Sequence, residues 1–377
     1  MKTKYKIDRP LFFLMIIFII FGLLMILSAS SMESYLRYDN SPYQYFIKQL
    51  IFYIGGLMMF VTMLFIPTKN YKNLSKIYLI TTVLALGALT LYGYSANNAQ
   101  SWFNLGFISI QPSEFFKTAI ILYLALYYEK HIDDLDNHYN ILKPLFLIII
   151  GFFLIIMQPD FGTALIVMIL TMLIFYSVPT KKELKSYITK ILAGGGLLLL
   201  IIFLTSGTKI LKDYQLERFN FLNPCDRYQE DSGYQLCNSF IAFNNGGLTG
   251  QGLGQSTQKY LYLPESYTDF IFPIIVEEWG ALVGILIIIL YIVMLYRILR
   301  LAKKTNTLRN SLIAYGVFTY LLLHILINLL GISGLMPLTG VPLPFLSYGG
   351  SFALSLMFAM GLVQRVAIET NRIKKTK

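Results

Sequence analysis

Apolar residues run along this chain in long stretches separated by short polar ones, and their lengths predict about ten helices able to cross a bilayer core of about 30 Å. The expected spans lie near 11–28, 47–66, 76–94, 113–128, 142–157, 161–178, 189–206, 270–296, 311–332 and 345–366. Lipid satisfies no backbone group, so runs of this length read as helices rather than barrel strands. The expected fold is an all-α polytopic membrane protein, a single integral membrane domain over 1–377 with one large extracellular loop, 207–269, between helices 7 and 8. The first stretch follows Lys2, Lys4, Lys6 and Arg9, as a signal peptide would. It has no convincing small-residue cleavage pattern and reads as an uncleaved helix.

The polar stretches sort by charge. Lys69, Lys72 and Lys76, then Lys130 and Lys143, then Lys181, Lys182, Lys185 and Lys190, then Arg297, Arg300, Lys303, Lys304 and Arg309 occupy alternate loops, and both termini are basic. Segments 95–112 and 333–344 hold no Lys or Arg. The positive-inside rule then predicts cytoplasmic N- and C-termini, with the bare loops and the long 207–269 segment outside. Composition agrees with a membrane protein: 56% hydrophobic residues, 14% charged, and a mean hydropathy of +0.60. The net charge of +11 is accounted for by this sorting, and no basic run with interleaved aromatics suggests a nucleic-acid surface. Cys225 and Cys237 share the long outer loop, where the compartment permits a disulfide and two free thiols are the equal alternative.

Several residues invite chemistry, each with a plainer reading beside it. Gly246, Gly247, Gly250, Gly252 and Gly254 lack the strand and Lys-Ser/Thr ending of a phosphate loop, so turn formation or packing is preferred. His131, His138 and His324 form no metal-ligand pattern. Glu114 and Lys117 share one face of the fourth helix, either as a structural ion pair or as an intramembrane site. Asp160 in QPDFG suits a helix N-cap at least as well as catalysis. The Pro- and Gly-rich run 337–351, which includes Ser347 and Gly349, is either packing or the floor beneath a polar headgroup. Asp269 opens the eighth span, where it would cap the helix or act as a general base. Glu277 and Glu278 lie roughly 12–14 Å deeper, and one of them is expected to face inward and pair with a cation.

Four stretches in order, IQPSEFFK from Ile110, QPDFGTAL from Gln158, GGLTGQGLGQSTQKYLYLPESYTDFIFPIIVEEWG from Gly246 and GLMPLTGVPLPFLSYGGS from Gly334, resemble the shape, elongation, division and sporulation (SEDS) family of bacterial membrane proteins. The likeness covers nearly the whole chain and is nearer the division members than the elongation members. It implies a peptidoglycan glycosyltransferase polymerising lipid II at the outer face of the membrane, with Asp269 as general base, inversion at the anomeric carbon and polyprenyl diphosphate leaving. Arg218, Lys117 and a divalent cation (Mg or Mn) would answer the charge of the diphosphate; Glu114 would orient Lys117, and Glu265 or Glu278 would tune the site. Ser347 and Gly349 fall in the family's PLPFLSYGGS stretch, which would help hold the substrate. Ser101 precedes Trp102 where many members carry Arg, so a phosphate contact through that arginine does not carry over. The implied partners are a class B penicillin-binding protein, a single-span transpeptidase, and other division or elongation proteins. A lipid II flippase and a non-catalytic scaffold for the transpeptidase are the competing readings of the same topology.

Overall fold

The computed structural model of the chain describes residues 6–38, 41–96, 99–104, 106, 108–187, 189–190 and 221–373. Eleven labelled helices carry most of the described residues: α1 (Arg9–Tyr38), α2 (Gln44–Phe65), α3 (Lys72–Tyr92), α4 (Pro112–Lys130), α5 (His138–Leu142), α6 (Leu145–Met157), α7 (Phe161–Ser177), α8 (Asp231–Gly246), α9 (Ile271–Lys304), α10 (Leu308–Ile332) and α11 (Gly350–Ile373). Seven spans among the described residues are long and apolar enough to cross a membrane, and the charged α4 and the 17-residue α7 pack among them. The chain is a multi-pass membrane protein. The expected span 189–206 lies outside the described residues except for 189–190, as does the start of the expected outer loop, 207–220.

Burial sets the order of the layers. The apolar windows of α10 and α11 are 72% and 94% buried against 28–33% for the other five spans, so these two helices form the centre. Beside them stands α4, buried from Pro112 to Leu126 apart from Phe115. On the periphery, α9 turns Ile285, Ile289, Ile292 and Tyr296 outward along one stripe, as a lipid-facing helix does.

Two ends of the bundle differ in chemistry. At the basic end, Arg297 makes a two-point contact to Asp8 at 3.0 and 2.9 Å, and Asp8 caps the first turn of α1. Nearby, Glu369 joins Thr68, Asn310 and Arg365, and Arg309 pairs with Glu129. The opposite end holds a small antiparallel sheet of β1 (Tyr94–Ala96), β2 (Ala99–Asn104) and β3 (Ser109–Ile110), which pairs Tyr94 with Trp102 and Phe103 with Ile110. Strands this short carry too little alternation to be read from sequence, which is why segment 95–112 was expected as a plain loop.

That second end also contains the prolines of 337–344. The last helix starts at Gly350, not near 345 as expected, because Pro344 and the left-handed Phe345 (φ 66°) leave 345–349 as an irregular turn. The cysteines are joined: the Cys225–Cys237 disulfide fastens the 3-10 turn Pro224–Arg227 to α8.

Candidate active site

The charged pair of α4 is enclosed. Pro112 stands at the first helical position, where its missing N–H costs nothing, and this sets Glu114 and Lys117 in the opening turns. Lys117 Nζ donates to Glu114 Oε1 at 2.8 Å and lies 2.9 Å from His324 Nε2, with the Tyr320 ring 5.5 Å beneath it. An ammonium can only donate, so His324 accepts at Nε2 and carries its proton on Nδ1, which faces the Pro342 carbonyl at 3.1 Å. His324 is thus a satisfied core histidine, as its isolation in an apolar run suggested. The cap reading of Asp160 also fits, since its Oδ1 accepts from the Thr163 N–H at 3.1 Å while Oδ2 receives Gln111.

Asp269 is placed differently. α9 begins at Ile271 with Phe270, one residue after the half-buried Asp269, at the N-cap. The turn before it reverses at Glu265, whose φ is 55°. This reversal brings the Thr268 hydroxyl within 2.7 Å of Glu265 Oε2 and 2.9 Å of Asp269 Oδ1. One hydroxyl proton serves one carboxylate at a time. The 339–341 segment crosses beside the site, close enough that a Cβ on Gly340 would lie 3.8 Å from Asp269 Oδ2. Next to the turn, an open cavity of about 530 Å³ is lined by Glu33, Leu36, Leu261, Leu263 and Pro264.

The neighbouring glutamates of α9 divide their roles. Glu278 forms a buried ion pair with Lys259 at 2.9 Å and accepts from Ser28 at 2.6 Å, so it is the one that faces a cation. Among the described residues Glu277 has no such cation. It accepts instead from Asn245, the Thr257 hydroxyl, the Gln258 N–H and Ser256, on either side of the glycine-rich passage. That passage enters a break in α9 at Gly280 (φ 85°, ψ 167°): Gly247 and Leu248 carbonyls accept from Ala281 and Leu282, while Gln251 and Gly252 donate to the Glu277 and Glu278 carbonyls. Non-helical backbone inside a membrane bundle is tolerated where protein satisfies it in this way. The glycines therefore serve close backbone packing.

Of the remaining sequence candidates, Ser347 is buried and its hydroxyl accepts from the Leu343 N–H at 2.8 Å. Gly349 donates its N–H to Gln49 at 3.1 Å, and Tyr348 donates to the Tyr267 carbonyl at 2.8 Å, tying this turn to the one that carries Asp269. Burial beside Tyr45, followed by the charges of Glu33 and Glu265, pushes the Tyr267 phenol far above its ordinary value, so it stays protonated. Arg218 lies outside the described residues.

The structure thus gathers Asp269, Glu265, the 339–349 turn and, through His324, the Glu114–Lys117 pair at one end of the bundle. Glu278 belongs to the separate Lys259 pair. Asn328, missed at the sequence level, donates to both the Asp269 and Val341 carbonyls; its only signal was a polar residue one helical turn after His324. Among the described residues no group of three or more His, Cys, Asp and Glu could hold a metal ion, and the Glu265–Asp269 pair supplies two oxygen-bearing side chains, short of such a set.

A family described as cell cycle protein, comprising FtsW, RodA and SpoVE, matches residues 8–372. The chain belongs to this family. Among its relatives, the Bacillus subtilis (strain 168) protein named probable peptidoglycan glycosyltransferase FtsW is 39% identical over 97% of this chain and 92% of its own length. A second relative from the same organism, stage V sporulation protein E, is 33% identical over 97% of this chain and 98% of its own length. Solved structures share the fold. A chain from a peptidoglycan synthase complex that coordinates polymerization and crosslinking matches with a TM-score of 0.74 at 24% identity, over 97% of this chain and 98% of that one. RodA of Thermus thermophilus matches at 0.64 and 22%, over 96% and 97%. The FtsW/RodA/SpoVE membership agrees with the SEDS resemblance carried by the four sequence stretches.

Proposed function

We propose that the chain is a peptidoglycan glycosyltransferase that polymerises lipid II outside the cytoplasmic membrane. The observation that carries this reading is the Asp269 carboxylate, half-buried just ahead of α9, beside the Gly340 segment, and set at the polar end of a bundle whose family includes a relative named for that activity. Asp269 accepts the proton of the acceptor sugar 4-hydroxyl as that oxygen attacks the anomeric carbon of the donor strand. The C–O bond to the diphosphate breaks on the opposite face, so configuration inverts and polyprenyl diphosphate departs. Its charge falls to Arg218 and, from within the bundle, to Lys117 held by Glu114. Glu265 shares the Thr268 hydroxyl with Asp269, which ties the two carboxylates into one turn. The open cavity flanked by Pro264 and Leu36 offers a polyprenyl-linked substrate an entry beside the Asp269 turn. Ser347 shapes the 343–347 turn, and the Gly349 N–H joins that turn to α2.

The orientation follows from charge: the basic end faces the cytoplasm with both termini, and the site end faces outward. The Cys225–Cys237 disulfide at that end favours the oxidising side. Ser256 and Lys259 stand at the Ser-x-x-Lys spacing of transpeptidases, but Ser256 is held by Glu277 and Lys259 by Glu278, so crosslinking is assigned to a partner, a class B penicillin-binding protein. The full chain, purified with that transpeptidase and given lipid II, is expected to form glycan strands detectable by gel electrophoresis. Translocation of lipid II across liposomes without polymerisation would replace this reading with a transporter, and assembly with the transpeptidase without either activity would leave a scaffold.

A further inference from the structure

We infer that Asn328 is a positioning residue for Asp269, an inference that rests on the general-base reading of that aspartate. Asp269 lies just ahead of α9, and the residue four positions on is Pro273, which has no N–H to offer the Asp269 carbonyl. Asn328 donates to that carbonyl from the neighbouring helix. Its Nδ2 lies 2.7 Å from the Asp269 carbonyl and 2.8 Å from the Val341 carbonyl. Both neighbours are acceptors, which sets the orientation of the amide, and both of its hydrogens are used.

Asn328 is buried in α10, at the centre of the bundle, so the anchor is rigid. One turn earlier on the same helix, His324 faces the next carbonyl, that of Pro342, at 3.1 Å, and contacts Lys117 on its other nitrogen. α10 therefore grips two consecutive carbonyls of the 341–342 turn. Through Asn328 the same grip includes the peptide that bears Asp269. Gly340, which passes beside Asp269 Oδ2, is the residue just before this gripped pair, so the carboxylate and the turn that borders it are held in one frame. The Glu114–Lys117 pair is fastened to that frame through His324.

A residue that sets the aim of a base without touching substrate changes turnover more than binding. Misplacement of a reacting group by about 1 Å costs on the order of 100-fold in rate. The test uses the full chain purified with its transpeptidase partner, measuring glycan polymerisation against lipid II concentration and normalising to folded protein by thermal unfolding. Asn328→Ala is expected to lower kcat by roughly 10- to 100-fold with KM within about threefold of wild type. Asn328→Ser, which retains one donor, is expected to fall between them. Asn328→Ser also decides the matter by the same criterion should Asn328→Ala not fold. An unchanged rate per folded molecule, or a raised KM with unchanged kcat, would overturn the inference while leaving the base in place. Asp269→Ala is run in parallel: wild-type polymerisation by that variant would instead remove the general-base reading itself, and the inference with it.

Discussion

Glu277 and Glu278 are adjacent and equally buried, yet one is held by neutral donors and the other by a lysine, so their losses should differ in kind. Replacing Glu277 with Ala strands Asn245, Ser256, Thr257 and the Gln258 N–H around an emptied site. The expected loss is about 3 kcal/mol, since a single buried unsatisfied group costs about 1–3 kcal/mol. A fall in the thermal unfolding midpoint in detergent checks this. Lys259→Ala leaves the buried Glu278 carboxylate with the Ser28 hydroxyl but no counter-charge and is expected to cost about 3–5 kcal/mol, whereas the pair Lys259→Met with Glu278→Leu should recover most of that loss. Recovery absent in the double variant would mean that the pair also serves the site.

At the scale of elements, the break in α9 is the feature with the clearest consequence. A Cβ on Gly280 would lie 2.3 Å from the Leu248 carbonyl, and one on Gly250 would lie 2.3 Å from the Glu278 carbonyl. Both glycines also have positive φ, 85° and 79°. Gly280→Ala is therefore expected to expel the glycine-rich passage and lower stability by at least about 1–3 kcal/mol, while Gly252→Ala, whose nearest neighbour is a flexible Gln255 side chain at 3.6 Å, should be milder. Comparing the two unfolding midpoints tests the insertion. Apolar runs showed where the helices lie because lipid leaves the backbone no other partner, and the Glu114–Lys117 pair was legible because three residues on a helix share a face. The break at Gly280 was not legible: its partner is a loop some thirty residues earlier, and nothing local distinguishes it from a packing glycine. Asn328 was hidden for the same reason, its acceptors being distant in the chain. Asp269 could be singled out as a carboxylate at a boundary, but that Phe270, one residue on, holds the N-cap position depends on where the turn at Glu265 ends, which no local pattern shows.

Across the whole molecule, the sorting of charge to one end of the bundle and the disulfide at the other make the same prediction of sidedness. A fluorescent protein that matures only in the cytoplasm should be bright when fused to the C-terminus. Cys225 and Cys237 should resist alkylation until the protein is reduced; a dark fusion, or thiols that react without reductant, would reverse or void the orientation. The most direct measurement of all is polymerisation of lipid II by Asp269→Ala, purified with its transpeptidase partner and matched to wild type in unfolding midpoint and complex formation. Glycan strand synthesis should fall by at least about 100-fold, the lower range of what a general base contributes. Full polymerase activity in that variant would contradict the assignment of Asp269 as the base.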